Sequence, residues 1–312
     1  MVRFGISVGS WPLAVPPSGE YLYGLAERVE ALGYDGLWSG DHFVTQTPFL
    51  HALTLLGAFA ARTTRVTLGT SVLILPLHNV AETAKAVSTL DFLCGGRFVL
   101  GVGVGGEMKK EWEVAGVPLG DRGRRADEYI QALRALWTSD AASFSGRYCQ
   151  FADVNMQPKP AQPGGPPILV GGRSDAALVR AGRLADGWMA YMVTSERYAE
   201  SVEKMRAAAM AARRDPGRLR LAHLIFWYVG RDHEQARSLA ITNLSRRYNQ
   251  PFDKLVDKYC AVGSPEACAE ALRSFVAAGV DELVFMPIAP PDELLDQIAM
   301  LAEDVRPLVR TG

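Results

Sequence analysis

The hexapeptide "WSGDHF", residues 38–43, sets a carboxylate and an imidazole side by side, Asp41 and His42, directly after a short apolar run. A histidine whose unperturbed pKa is about 6.5 can give or take a proton near neutrality, so His42 is the first candidate for acid/base work. Asp41 could fix the orientation of that imidazole or hydrogen-bond a bound ring. The plainer alternative is that Asp41 caps the following loop and His42 is a satisfied polar residue. Glu107, just past a glycine run, is a second acid/base candidate.

The same pair invites a metal, but the five histidines (42, 51, 78, 223 and 233) form neither H-x-H nor H-E-x-x-H, so no metal is expected. A G-x-S-x-G nucleophile elbow is also absent, which argues against acyl transfer.

Three further stretches could hold a ligand. In "LGVGVGGE", residues 100–107, Gly101, Gly103 and Gly106 formally satisfy G-x-G-x-x-G. A dinucleotide fold would need an acidic residue leaving a strand about 20 positions later. Asp121 has the spacing, yet it leads into a helix. The glycines therefore either let a flat ring or a phosphate approach the backbone, or simply turn a corner. In "ILVGGRSDAALVRAG", residues 168–182, a strand runs into Gly171, Gly172, Arg173 and Ser174 before an amphipathic helix. Backbone N–H groups at that helix start, its dipole and Arg173 suit an anion, most simply a cofactor phosphate. Ser174 could instead be only an N-cap and Arg173 a solvated charge. In "GTSVL", residues 69–73, small Gly69 and Ser71 would leave room for a planar ligand.

These stretches share one placement. Strand-like runs at 3–8, 35–39, 66–75, 97–104, 167–172, 186–190, 219–230 and 281–287 alternate with helical periodicity, as in repeated βα units. That predicts a closed (β/α)8 TIM barrel over residues 1–312, with insertions in the βα loops near 138–165 and 231–262 and no linker between domains. Each candidate then follows a strand's carboxyl end, where such barrels carry their chemistry.

The composition agrees: 48% of residues are hydrophobic and 21% charged, with 33 basic against 34 acidic side chains. Neither disorder nor a nucleic-acid partner is expected. The four cysteines show no C-x-x-C pair, and no signal peptide or membrane span can be drawn, so a soluble cytoplasmic protein is expected.

Together "GYDGLWSGDHF", "TLGTSVLILPLHN", "STLDFLCGGRFVLGVGVGG", "GVPLGDRGRRADEYIQALRALW", "PPILVGGRSDAALVRAGRLADGWM" and "VGSPEACAEALRSFVAAGVDELVF" resemble the bacterial luciferase-like superfamily, and within it the coenzyme F-420 (deazaflavin) dependent oxidoreductases. The resemblance implies a bacterial luciferase-like barrel holding the cofactor ring at its mouth, with a cis Ser71–Val72 peptide against that ring. It implies that Gly103, Val104 and Gly105 line the ring or its chain, and that Gly171 and Gly172 take the phosphate. "SGDHF" is closer to deazaflavin users than to FMN users, which tend to read "EHH". The resemblance thus implies hydride transfer between the deazaflavin C5 and a small organic substrate bearing a C=C, C=N or C=O bond. The alternative is an FMN-dependent monooxygenase using O2 and a partner flavin reductase. A homodimer is expected by resemblance alone. Trp11, Phe43, Trp112 and Tyr191, with Trp227 and Tyr228, are expected near the mouth and suggest an apolar or aromatic substrate, although core packing explains each as well. Arg122, Arg124 and Arg125 could meet the coenzyme's acidic tail or form a solvated helix start.

Overall fold

The computed structural model describes residues 1–9, 17–45 and 48–310. Twelve strands are found among them: β1 Arg3–Val8, β2 Gly36–Ser39, β3 Thr67–Thr70, β4 Leu73–Ile74, β5 Phe98–Gly103, β6 Ala142–Ser145, β7 Gln150–Val154, β8 Ile168–Gly171, β9 Gly187–Tyr191, β10 Arg220–Val229, β11 Cys260–Gly263 and β12 Glu282–Pro287. Parallel pairing runs β1-β2-β3-β5-β8-β9, continues from β9 to β10 and from β10 to β12, and returns from β12 to β1. With β3 and β4 forming one stave, this is the expected eight-stave barrel wrapped by helices. Both faces of such strands are covered, which is why β2, β5 and β8 are apolar or glycine at almost every position and buried throughout.

The apolar run 66–75, expected as one strand, is interrupted. Its Ser71–Val72 peptide is cis, as the resemblance implies. Before the break Leu68 lies opposite Phe98 of β5, and after it Leu73 lies opposite Val102. The side chain of Val72 is thereby turned toward the barrel axis, where it packs against the interior cluster of Trp38, Val99, Leu169, Met189, Leu224 and Val284.

Trp38 fills the lower interior and is fully buried. Its own strand and the two neighbouring ones give way to it with glycines. A Cβ would come within 2.6 Å of the indole at Gly5 and at Gly36, and within 2.3 Å at Gly69. The room expected at Gly69 for a planar ligand is therefore occupied by the protein's own indole.

Both insertions carry strands. In the first, β6 and β7 form an antiparallel hairpin. The second holds the helix His233–Tyr248 and the short helix Val256–Tyr259, and then enters β11. β11 pairs with β10 just past the point where β9 leaves it: Leu224 faces Tyr191, whereas Phe226 faces Cys260. The insertion is thus stitched onto the carboxyl end of the barrel, where Met192, Phe226, Leu244, Phe252, Val256 and Ile288 form a second apolar cluster. Among the described residues no helix is long and apolar enough to cross a membrane.

Candidate active site at the carboxyl end of the barrel

β2 ends at Ser39, and the chain leaves through Gly40 into Asp41, His42 and Phe43. These residues reach the mouth as expected, but the two reactive side chains part company there. The Asp41 carboxylate is buried, and its Oδ2 accepts from the backbone N–H of Ile74 at 3.0 Å and pairs with His78 Nε2 at 2.7 Å. Burial alone would raise its pKa; the His78 hydrogen bond and charge and the Ile74 N–H outweigh that and hold it below the usual carboxylate range. Asp41 therefore clamps the strand just past the cis peptide. It does not orient His42, which corrects that expectation.

That task belongs to Glu111. Its carboxylate is 1% exposed, and both oxygens lie 3.1 Å from His42 Nδ1. Oε1 also accepts from the backbone N–H of Phe43 at 2.9 Å and of Val44 at 3.3 Å. One buried carboxylate thus fixes both the imidazole and the loop that carries it. A carboxylate can only accept, so Nδ1 carries the proton in this pair, leaving Nε2 as the atom open to exchange. The His42 ring is partly exposed, and its other side meets the edge of Phe49, with centroids 5.2 Å apart.

Glu107 is the second acid expected from the sequence. Glu107 is exposed and makes no hydrogen bond or ion pair among the described residues, whereas Glu111 lies four residues on, at the inner side of the helix Lys109–Ala115. The available signal was an acid beside Trp112, following two lysines. In a short helix that pattern puts Lys109 and Lys110 outward and the acid with the tryptophan inward.

The glycines clear space for protein atoms. A Cβ on Gly103 would lie 2.6 Å from Val72 Cγ2, one on Gly171 3.0 Å from Val72 Cγ1, and one on Gly105 2.7 Å from Ile74 Cγ2. These glycines seat the cis segment from three sides, so the direct room for a ring or phosphate that their absent side chains suggested is already filled. Ser71 is buried, and its hydroxyl lies 2.7 Å from that of Ser7 on β1. Val72 and Val104 remain half-exposed at the mouth.

At the end of β8, Gly172 adopts φ +120°, a conformation that suits glycine. It delivers the chain to the helix Asp175–Leu184, whose N-cap is Ser174, accepting from Ala177 N. Ser174 is therefore spoken for by its own helix. Arg173 is exposed and donates to the Met192 carbonyl at 3.3 Å. What is left for a ligand is the pair of N–H groups of Asp175 and Ala176, which have no acceptor among the described residues, whereas Ala177 N and Leu178 N are taken by Ser174.

Of the aromatic candidates, Phe43 is 47% exposed. Tyr191 is half-buried at the end of β9, and its hydroxyl is hydrogen-bonded to that of Tyr248 on the inserted helix. Trp112 is buried beneath its own helix, with its indole N–H unpaired among the described residues, and does not form an open wall. Trp227 points outward from β10, edge-on to Phe285 in the layer between strands and helices, which corrects its placement at the mouth. The Tyr228 hydroxyl pairs with Glu293. Trp11 lies outside the described residues.

No group of three or more metal-ligating side chains is present among the described residues. The mouth instead holds one oriented imidazole, a cis-bent strand, an anion-ready helix start and aromatic walls, an arrangement suited to a planar redox ligand with an anionic tail.

Comparison with known proteins agrees with this architecture. A curated F-420-dependent glucose-6-phosphate dehydrogenase of Amycolatopsis mediterranei (strain U-32) is 29% identical over 318 aligned positions, covering 91% of this chain and 93% of that protein. An F-420-dependent secondary alcohol dehydrogenase, solved with an F-420–acetone adduct, superposes with a TM-score of 0.85 at 22% identity, over 99% of each chain. A monooxygenase from Streptomyces bottropensis gives a TM-score of 0.83 at 24% identity, over 98% of this chain and 99% of its own. The two structures share the fold. Residues 3–282 match the family model of the luciferase-like monooxygenases, a span running from β1 into β12, and the chain belongs to that family.

Proposed function

We propose that the chain is a coenzyme F-420-dependent oxidoreductase that moves a hydride between the deazaflavin and a small organic substrate. The observation that carries this reading is the His42–Glu111 pair: an imidazole held at Nδ1 by a buried carboxylate and open at Nε2, beside the cis Ser71–Val72 segment. The F-420 dependence named for the Amycolatopsis relative, similar over nine-tenths of both chains, supports the choice of coenzyme.

The residues present fit such a group. Val72 and Val104 offer apolar surface for a flat ring, and Gly172 with the helix start behind Ser174 offers backbone donors for a phosphate. When bound, the deazaflavin supplies a carbon centre that gives or accepts a hydride and does not activate oxygen as a flavin does. The protein's own part is to manage the accompanying proton. His42 Nε2 takes it from, or gives it to, the substrate heteroatom or carbon, while Glu111 holds the tautomer and stabilises the ring if it becomes charged. Asp41 acts at one remove by tying Ile74 and His78 to the bent strand.

The test is a titration of the purified protein with F-420 and with FMN, followed by fluorescence quenching. Micromolar binding of F-420 with at least tenfold weaker FMN binding is expected. Micromolar FMN binding without F-420 binding would overturn the proposal and favour an FMN-dependent monooxygenase.

A further inference from the structure

The inserted helix His233–Tyr248 does more than cover the barrel. Its last turn sends Arg247 over the mouth, with the guanidinium 5.7 Å from the centroid of Phe226. There Arg247 lines a small cavity together with Ser7 and Val8 at the end of β1, Gly40 after β2, Phe49, and Met286 and Pro287 at the end of β12. This cavity adjoins the reacting end of the site. Phe49, which forms its wall, also meets the ring of His42, and Ser7 is bonded to Ser71 of the cis peptide.

The charge state of this place is unusual. Arg247 is half-buried and forms no salt bridge or hydrogen bond among the described residues. The segments 10–16 and 46–47, which follow β1 and β2, contain no acidic residue that could neutralise it. Glu107, whose charge reaches Tyr191 and Tyr248 as that of Arg247 does, is exposed and makes no ion pair with it. An arginine held over an aromatic face beside a pocket, with its planar fork unspent, is suited to bind a carboxylate or phosphate through paired N–H donors. An apolar substrate would leave that cation partly desolvated with nothing in return.

We infer that Arg247 binds an anionic oxyacid group of the substrate, a carboxylate or a phosphate monoester, and so anchors an otherwise apolar molecule with its reacting carbon toward His42. This amends the expectation of a purely apolar or aromatic substrate. It rests on the proposed function in taking the mouth as the site of turnover, but the anion site can be tested without turnover.

Benzoate, phenyl phosphate and the uncharged benzamide serve as probes, titrated by calorimetry into the protein with and without F-420. At least one anion is expected to bind ten times or more tightly than benzamide. Arg247→Gln should weaken that anion by about tenfold or more while leaving benzamide unchanged, and Arg247→Lys should retain part of the preference. Thermal unfolding of each variant verifies that it is folded, and F-420 quenching should be the same in Arg247→Gln as in the parent. Stronger benzoate binding assigns a carboxylate, and stronger phenyl phosphate binding a phosphate monoester. Equal affinity for anions and benzamide, absence of anion binding at 20 mM (about the weak limit of a specific site), or full anion affinity in Arg247→Gln would each overturn the inference. Failure of F-420 to bind the parent protein would instead defeat the proposed function, and the coenzyme-free titrations would still judge Arg247.

Discussion

Replacing Glu111 by glutamine probes the central pair with almost no change of volume. The carboxylate accepts from Phe43 and Val44 through Oε1 and faces His42 Nδ1 with both oxygens. A glutamine keeps an acceptor at one of these oxygen positions and puts a donor at the other, and both positions lie 3.1 Å from Nδ1, so a protonated Nδ1 would meet an N–H head-on. Turning its NH2 toward the backbone would leave the Phe43 N–H unpaired in a largely buried place, at about 1–3 kcal/mol. The amide oxygen therefore stays with the backbone, and the NH2 faces Nδ1. Nδ1 must then accept, the ring proton moves to Nε2, and the atom open to substrate can no longer take a proton. Turnover is expected to fall by about 10² to 10⁴, the scale of a general acid/base contribution, with F-420 affinity within a few fold. The assay that needs no substrate is long-range ¹H–¹⁵N NMR of the imidazole, assigned with His42→Ala. An Nδ1–H ring is expected in the parent and an Nε2–H ring in Glu111→Gln. Glu111→Ala, which abandons both backbone donors, should additionally lose about 2–5 kcal/mol of unfolding free energy. The same tautomer in parent and glutamine variant, or turnover within threefold of the parent, would refute the reasoning.

Two further outcomes follow from the core. Gly69→Ala should destabilise by about 3 kcal/mol, because the new methyl would meet a fully buried indole; in combination with Trp38→Leu the loss should be smaller than the sum, and strict additivity in denaturant melts would remove Trp38 as the cause. His223 is fully buried against Phe275, at a centroid distance of 4.3 Å, and burial pushes its pKa down to about 3 despite the nearby Ala190 carbonyl. Its folded value lies below the unfolded value of about 6.5, so the neutral ring favours folding above that pH, and the advantage is lost as pH falls toward 3, by about 5 kcal/mol in total. Denaturant unfolding between pH 7 and 4 should show His223→Leu losing stability more slowly than the parent; parallel losses would exclude His223.

Much of this was legible in the chain itself. Strand and helix alternate at intervals that leave a parallel barrel as the natural closure, and "WSGDHF", "LGVGVGG" and "VGGRS" each follow a strand, so their arrival at one mouth was determined by sequence order. The bend at Ser71–Val72 was accessible through resemblance, since nothing in the local composition of "GTSVL" requires it. Tertiary structure alone decided which groups meet. Asp41 and His42 are adjacent in sequence, yet neighbouring residues leave a strand's end in different directions, and each found a partner far along the chain: His78 for one, Glu111 for the other. Glycine placement was visible, but what occupies the space beside each glycine depends on side chains from neighbouring strands, Trp38 at Gly69 and Val72 at Gly103 and Gly171. The position of Arg247 was least legible, because β11 is a short strand whose pairing with β10 swings the inserted helix over the mouth, and a contact of that separation is set by packing and leaves no periodic trace.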